Sequence, residues 1–248
     1  MKSTLERLLE VRARRGAGYL TLLDPDRLSL DELESRAQAC ADAGADGILV
    51  GTSLMLSAPG NTRLFERLRV AIDIPVISFP GDAGQVVSTA DAILFLSMVS
   101  GRNAELLIGQ HVRAAPLLKE YDVEVIPTAY MLVESGTLTS VEYMSTTKPI
   151  PRAKDDIAMA HALAAQYLGM KLVYLETGSG AAASVPVSMV RSVSRYVDLP
   201  VIVGGGIRDP EVAREKVDAG AAFVVTGSVV EDDPGRLREL SAAVHVSG

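Results

Sequence analysis

The segment Val201-Ile202-Val203-Gly204-Gly205-Gly206-Ile207-Arg208, followed by Phe223-Val224-Val225-Thr226-Gly227-Ser228, carries the strongest chemical signal in this chain. Each half is an apolar run that ends in glycine. Without a Cβ, the backbone N–H groups at such an end can approach an anion closely. Two such ends on consecutive βα units are how a (β/α)8 barrel holds a phosphate, in the loops after its seventh and eighth strands. Two tight turns with no ligand would use the same residues, because glycine punctuates loops generally. Arg208 could complement an anion there, or pair with Asp209 or Glu211 at the surface.

Two carboxylates stand at other apolar run ends. Asp24-Pro25-Asp26 follows Tyr19-Leu20-Thr21-Leu22-Leu23. One carboxylate in that place could hold Mg2+, with water and substrate phosphates completing the shell; a solvated loop charge is the plainer alternative. Asp26 is expected to cap a turn, since Asp-Pro is a common turn pair. Tyr174-Leu175-Glu176-Thr177-Gly178-Ser179-Gly180 ends another apolar run. Glu176 could hydrogen-bond hydroxyl groups and accept a proton. A Glu ending a buried strand is costly without a partner or a task. The three histidines, His111, His161 and His245, have no metal-ligand spacing, and Thr177 to Gly180 lacks the Gly-Lys-Ser/Thr of a P-loop.

Positioning these groups requires a regular scaffold, and the chain repeats one grammar: helical stripe, glycine, β-branched run, small or polar residues. Asp42-Ala43-Gly44-Ala45-Asp46-Gly47-Ile48-Leu49-Val50-Gly51-Thr52 echoes Asp218-Ala219-Gly220-Ala221-Ala222-Phe223-Val224-Val225-Thr226-Gly227-Ser228. The pattern predicts strands near 18–23, 46–50, 75–79, 91–96, 123–128, 171–175, 200–203 and 222–226. Their continuous apolar character suits burial on both faces. Helices are expected near 3–15, 30–43, 61–71, 103–119, 155–168, 186–196, 209–219 and 234–244. Phe79 to Ala90 is too short for a full helix, and Met131 to Arg152 reads as a long polar connection that would serve as a lid. The expectation is one α/β domain over residues 1–248: a TIM (β/α)8-type barrel with its third helix reduced to a loop.

Composition agrees. The 248 residues are 48% hydrophobic, enough for a large core. Lys plus Arg number 24 against 31 Asp plus Glu, a net charge of −7, which argues against a general nucleic-acid binder. The single Cys excludes an internal disulfide, and Cys40 is expected in the core. Met1 to Gly16 lacks the apolar stretch of a signal peptide, and no 18-residue apolar run occurs. The expected location is cytoplasmic.

Several motifs then occur in one order: Leu20-Thr21-Leu22-Leu23-Asp24-Pro25-Asp26, Val50-Gly51-Thr52-Ser53, Phe79-Pro80-Gly81, Lys148-Pro149-Ile150-Pro151-Arg152, Tyr174 to Gly180, Gly204 to Arg208, and Thr226-Gly227-Ser228. Together they resemble the geranylgeranylglyceryl phosphate synthase family, which includes the PcrB-type heptaprenylglyceryl phosphate synthases. The resemblance runs from Tyr19 to Glu231. It implies an enzyme that joins sn-glycerol 1-phosphate to a prenyl diphosphate, geranylgeranyl diphosphate in the first instance, and releases diphosphate with Mg2+. By motif, Asp24 and Ser53 would ligate the metal. Tyr174, Leu175, Glu176, Thr177, Gly178, Ser179, Gly180, Gly205, Gly206, Gly227 and Ser228 would bind glycerol phosphate, with Glu176 and Asp24 catalytic. It also implies a homo-oligomer, and the lipid product suggests transient contact with a membrane surface.

The motif residues also place the chain near the group II branch, since Leu22 falls where the other branch has Lys. There are departures. Gly51-Thr52-Ser53-Leu54-Met55 stands where that branch usually shows Gly-Gly-Ser-Thr-Gly, His161 where a Tyr is expected, and Thr177 where Ala is common. The bulk of Leu54 and Met55 is expected to bear on which prenyl donor is accepted. Other readings compatible with the residues are a sugar-phosphate isomerase or lyase on the same barrel, a non-catalytic phosphate-binding relative, and transfer to a different phosphorylated acceptor.

Overall fold

In the computed structural model, which describes residues 2–52, 61–229 and 233–246, eight parallel strands close into a barrel in chain order. They are β1 (Gly18–Leu23), β2 (Gly47–Val50), β3 (Val76–Ser78), β4 (Ala92–Met98), β5 (Glu124–Leu132), β6 (Leu172–Glu176), β7 (Val201–Gly204) and β8 (Phe223–Thr226). β8 closes on β1 with Gly18 opposite Phe223 and Thr21 opposite Thr226. Around them run α1 (Thr4–Arg15), α2 (Leu30–Asp42), α3 (Asn61–Ala71), α4 (Gln110–Tyr121), α5 (Ser140–Ser145), α6 (Asp155–Tyr167), α7 (Val187–Tyr196), α8 (Pro210–Asp218) and α9 (Leu237–Val244).

Local chemistry sets the helix starts. Ser3 and Ser29 each open a reciprocal capping box, with Glu6 and Glu32 reaching back to the cap amide. The strands are buried on both faces because alternate residues feed two cores. Tyr19, Ile48, Val76, Val173 and Val203 pack outward against the helices. Leu20, Leu49, Leu94, Tyr174, Ile202 and Phe223 fill the barrel interior, joined at the bottom by Leu5, Leu8 and Leu9 of α1. Each such side chain taken fully out of water contributes about 1.5–3 kcal/mol. The bottom is pinned by Asp46, whose carboxylate accepts the Tyr19 amide at 2.8 Å and pairs with His245 at 2.7 Å and Arg15 at 3.1 Å. Cys40 lies in the outer core, as expected.

Between β3 and β4 a single 3-10 turn, Ala83–Gln85, replaces a helix. The site therefore has no helix screening it on that side. The sequence-based expectation differs from the structure at β5. The strand continues four residues past 128, and Met131 and Leu132 are fully buried within it. The expected polar connection thus begins at Val133. It is not structureless: it carries α5, and Val133 bridges Ile150 in parallel fashion, which closes its base. The apolar Ala129 to Leu132 run carries the strand onward, whereas the reading stopped at the first Pro-Thr pair.

Candidate functional site

The strand ends gather at one face of the barrel. β7 ends in Gly204, and Gly205 and Gly206 follow with φ of +80° and +65°. That left-handed backbone disfavours any side chain. Space forbids one as well: a Cβ on Gly206 would sit 2.9 Å from the Ala183 carbonyl carbon and the Ser184 nitrogen, and one on Gly204 would sit 2.6 Å from Glu176 Oε2. The glycines let backbone and acid come together. Gly205 and Gly206 border a cavity of ≈ 40 Å3, shared with Gly180, Arg208, Gly227 and Ser228. This is room for a small anion against glycine backbone, the kind of surface whose amides can bind one. Arg208 borders it, while Asp209 pairs instead with Arg236 at 2.9 Å.

Glu176 sits at the junction of this cavity with a larger one of ≈ 340 Å3. Its Oε1 accepts the Gly178 amide at 2.7 Å. Burial pushes the acid up to about 7, against the opposing pull of the Gly178 amide, the Tyr174 hydroxyl and the Thr177 amide. Tyr174 and Tyr130 are themselves pushed up by burial and by the nearby carboxylate, so both remain phenols. The Tyr174 hydroxyl faces Glu176 without closing a well-aligned hydrogen bond, and the Thr139 and Thr177 hydroxyls are also buried without one. Of these, the Tyr174 hydroxyl belongs to a residue that lines the small cavity, where a polar ligand could meet it.

The larger cavity is amphipathic. Its lining includes Asp24, Glu176, Ser179 and Ser228 on one hand and Val86, Phe95, Leu96, Met98, Leu106 and Met144 on the other, with Gln110 and His111 among them. It runs out over the β3–β4 connection, where Pro80, Gly81 and Ala83 replace a helix. Three rings, Phe79, Tyr130 and Tyr174, lie beside Glu176 with centroids 5.5–6.2 Å apart. Val141, Met144 and Ser145 of the β5–β6 connection cover part of the cavity, and Thr139 packs onto Gly178. The segment therefore has the place of a lid.

Asp24 lines the larger cavity, just past the end of β1 as the sequence suggested. Its turn chemistry is the reverse of that expected, however. Asp24 Oδ1 accepts the Asp26 amide at 3.0 Å, so Asp24 makes the turn, and Asp26 Oδ2 accepts the Thr52 hydroxyl at 3.0 Å. Proline at 25 removes one backbone donor and leaves the next amide to turn back on Asp24. Asp24 also faces Arg27 at 3.4 Å. Among the described residues no three His, Cys, Asp or Glu cluster as a metal cage. A carboxylate lining the larger cavity fits Mg2+, which keeps waters and takes one or two protein carboxylates.

Of the expected ligand-binding residues, Tyr174, Glu176, Gly178, Ser179, Gly180, Gly205, Gly206, Gly227 and Ser228 line one cavity or both. Leu175 does not: strand alternation turns its side chain out into the helix layer. Thr177 is fully buried behind the lining. Ser53, Leu54 and Met55 lie outside the described residues. His161 lines neither cavity and points its Nδ1 at the Ile157 carbonyl of its own helix, 2.8 Å away. Sequence reasoning missed Tyr130, which lay beyond the expected end of β5, and the apolar wall of the groove, whose residues read simply as core. No helix among the described residues is long and apolar enough to cross a membrane.

Residues 9–245 match the PcrB family. A protein from Spirosoma linguale named geranylgeranylglyceryl phosphate synthase is 46% identical over 226 residues, 91% of this chain and 90% of its own length. Its namesake from Chitinophaga pinensis is 42% identical over 239 residues, 96% and 94% of the two chains. The crystal structure of (S)-3-O-geranylgeranylglyceryl phosphate synthase from Thermoplasma acidophilum, in complex with its substrate sn-glycerol-1-phosphate, superposes with a TM-score of 0.93 at 35% identity, covering 99% of each chain. A thiamine phosphate pyrophosphorylase from Pyrococcus furiosus, at 14% identity and TM-score 0.57, shares the fold alone.

Proposed function

This chain belongs to the PcrB family, and from that premise we propose that it transfers a prenyl group from a prenyl diphosphate to sn-glycerol 1-phosphate, releasing diphosphate and forming an ether-lipid precursor. The observation that carries the reading is the meeting of the two cavities at Glu176: a glycine-lined anion pocket on one side, an apolar groove on the other. A sugar-phosphate isomerase would need the first and have no use for the second. The donor we propose is geranylgeranyl diphosphate, its tail lying against Phe95, Leu96, Met98 and Leu106.

In this reading the amides of Gly205, Gly206 and Gly227 hold the phosphate and so fix the acceptor's hydroxyl near the carboxylate. Glu176 takes the proton of that hydroxyl as its oxygen bonds to C1 of the donor; a base with a pKa near 7 is matched to that task at neutral pH. The rings of Phe79 and Tyr130, which line the larger cavity, would stabilise positive charge that develops on the allylic carbon as its bond to diphosphate breaks. The lid residues Val141 and Met144 keep water from that carbon. Asp24 would hold Mg2+, together with Ser53 by motif, and the ion would neutralise charge on the departing diphosphate. The protein is further proposed to act as a homo-oligomer in the cytoplasm, meeting membrane only to pass on its product.

The deciding experiment incubates purified protein with Mg2+, prenyl diphosphates of several lengths and each enantiomer of glycerol phosphate. Mass spectrometry is expected to find the C20 ether of the sn-1 enantiomer. No ether product with any donor, alongside retained phosphate binding, would return the protein to the non-catalytic reading.

A further inference from the structure

Arg152 closes the lid segment and touches neither cavity. Its guanidinium donates from Nη1 to the Glu134 carbonyl at 3.0 Å and from Nη2 to the Ser184 carbonyl at 2.9 Å. Glu134 is the first residue after the Val133–Ile150 bridge, and its amide donates to the Ile150 carbonyl at 2.9 Å. Arg152 therefore fastens both ends of the lid to one point in the loop between β6 and α7. The gripped carbonyl belongs to the Ser184–Val185 peptide, one unit on from the peptide that meets Gly206. The Ala183–Ser184 peptide is the backbone that Gly206 abuts: the nearest atoms to a Cβ there are the Ala183 carbonyl carbon and the Ser184 nitrogen, each at 2.9 Å. Gly206 in turn lines the anion pocket.

We propose that Arg152 is a positioning residue for the anion site: it holds the Ser184–Val185 peptide, the unit next along the chain from the Ala183–Ser184 peptide that backs the left-handed turn at Gly205–Gly206, and so keeps the glycine amides aimed at the phosphate. A cradle made of backbone has no side chain of its own to lock it, so its aim depends on what stands behind it. An arginine does this better than a lysine because one planar fork can serve two carbonyls in fixed directions. Since Nη2 contacts Ser184 and Nη1 contacts Glu134, the same side chain links the lid over the apolar groove to the backing of the anion pocket. The inference rests on the cradle being the phosphate site of the proposed function.

The test is calorimetry on the full-length protein with two ligands: sn-glycerol 1-phosphate, and inorganic diphosphate with Mg2+. Arg152→Met keeps the stem and removes the donors. Glycerol phosphate is expected to bind about tenfold more weakly, roughly what losing a charge-assisted hydrogen bond costs, while diphosphate binding stays within about twofold. Arg152→Lys, with one ammonium able to reach one carbonyl, is expected to fall between the two, and it serves alone where the Met variant does not fold. Unchanged glycerol phosphate affinity in a folded variant would overturn the proposal, as would parallel loss of both ligands, which is the mark of general loosening. Should the wild type bind inorganic phosphate and not glycerol phosphate, the acceptor assignment fails; the same variants read with inorganic phosphate still decide the role of Arg152.

Discussion

Glu176 Oε1 accepts the amide of Gly178 at 2.7 Å, so the buried acid is tied to the turn that borders both cavities. The acid thereby has one fixed partner on its own loop, and its remaining surface faces the glycines of β7 and the phenol of Tyr174. Burial, opposed in part by that amide, makes the carboxyl hold its proton more tightly than one in water.

That placement predicts a pH-dependent rate. Burial raises Glu176 to about 7, and only the ionised form can take a proton. The kcat/KM is expected to rise with pH and level off above about 7. Glu176→Gln, which keeps the size and loses the base, is expected to lower kcat by about 10^2 to 10^4 and abolish that inflection. A profile flat from pH 5.5 to 8.5 in the wild type would remove Glu176 as the base.

The same group predicts a stability effect. The folded protein binds this proton up to about 7, whereas the unfolded chain releases it near the ordinary carboxylate value of 4.5. Between those limits the native state binds more protons than the unfolded state, so stability falls as pH rises through the window and is level above it. Glu176→Gln should be neutral near pH 4 and more stable than the wild type at pH 8, by up to roughly 3 kcal/mol. Denaturant unfolding at the two pH values checks the difference.

Asp24→Asn is expected to reduce turnover by several orders of magnitude while leaving the fold and glycerol phosphate affinity near wild type. The residue lines the large cavity and lies outside the lining of the small one. If Asp24 holds the proposed Mg2+, losing its full charge should cost several kcal/mol of transition-state stabilisation. Turnover within about threefold of wild type at saturating Mg2+ would take Asp24 out of the mechanism.

The glycine amides are expected to supply more of the phosphate affinity than Arg208 does. Gly205→Val places a β-branched residue at φ +80° against Glu176 and Thr177 and should abolish binding. Arg208→Ala removes an exposed charge at the pocket rim and should cost about 1 kcal/mol or less. Calorimetry giving the reverse order would assign the anion to the side chain.

Ala114 is a buried wall residue of the large cavity on α4. Ala114→Leu narrows the groove there and is expected to lower kcat/KM for the C20 donor relative to C15, with misfit worth ~1–3 kcal/mol in a hydrophobic pocket. An unchanged C20/C15 ratio, measured in competition, would place the tail elsewhere.

The alternation of apolar runs and helical stripes, with Ser3 and Ser29 opening capping boxes, determined the element order and the barrel, because local periodicity and caps are properties of consecutive residues. The strand-end motifs determined that glycines and the carboxylates of Asp24 and Glu176 would collect at one face, since in a parallel barrel every strand delivers its end to the same side. Only the tertiary structure decided what those residues do to one another. It showed that Leu175 turns outward while Tyr174 and Glu176 turn in, and that Asp24 rather than Asp26 accepts the turn amide. It extended β5 to carry Tyr130 to the acid, and it set Arg152 behind Gly206. The short Phe79–Ala90 connection suggested an open apolar groove, but its walls were hidden in the sequence for a physical reason: Phe95, Leu96 and Leu106 read as core whether they face a packed neighbour or an open channel. That difference is set by the short β3–β4 connection, which carries a 3-10 turn in place of a helix, a relation between distant segments and not a property of either one.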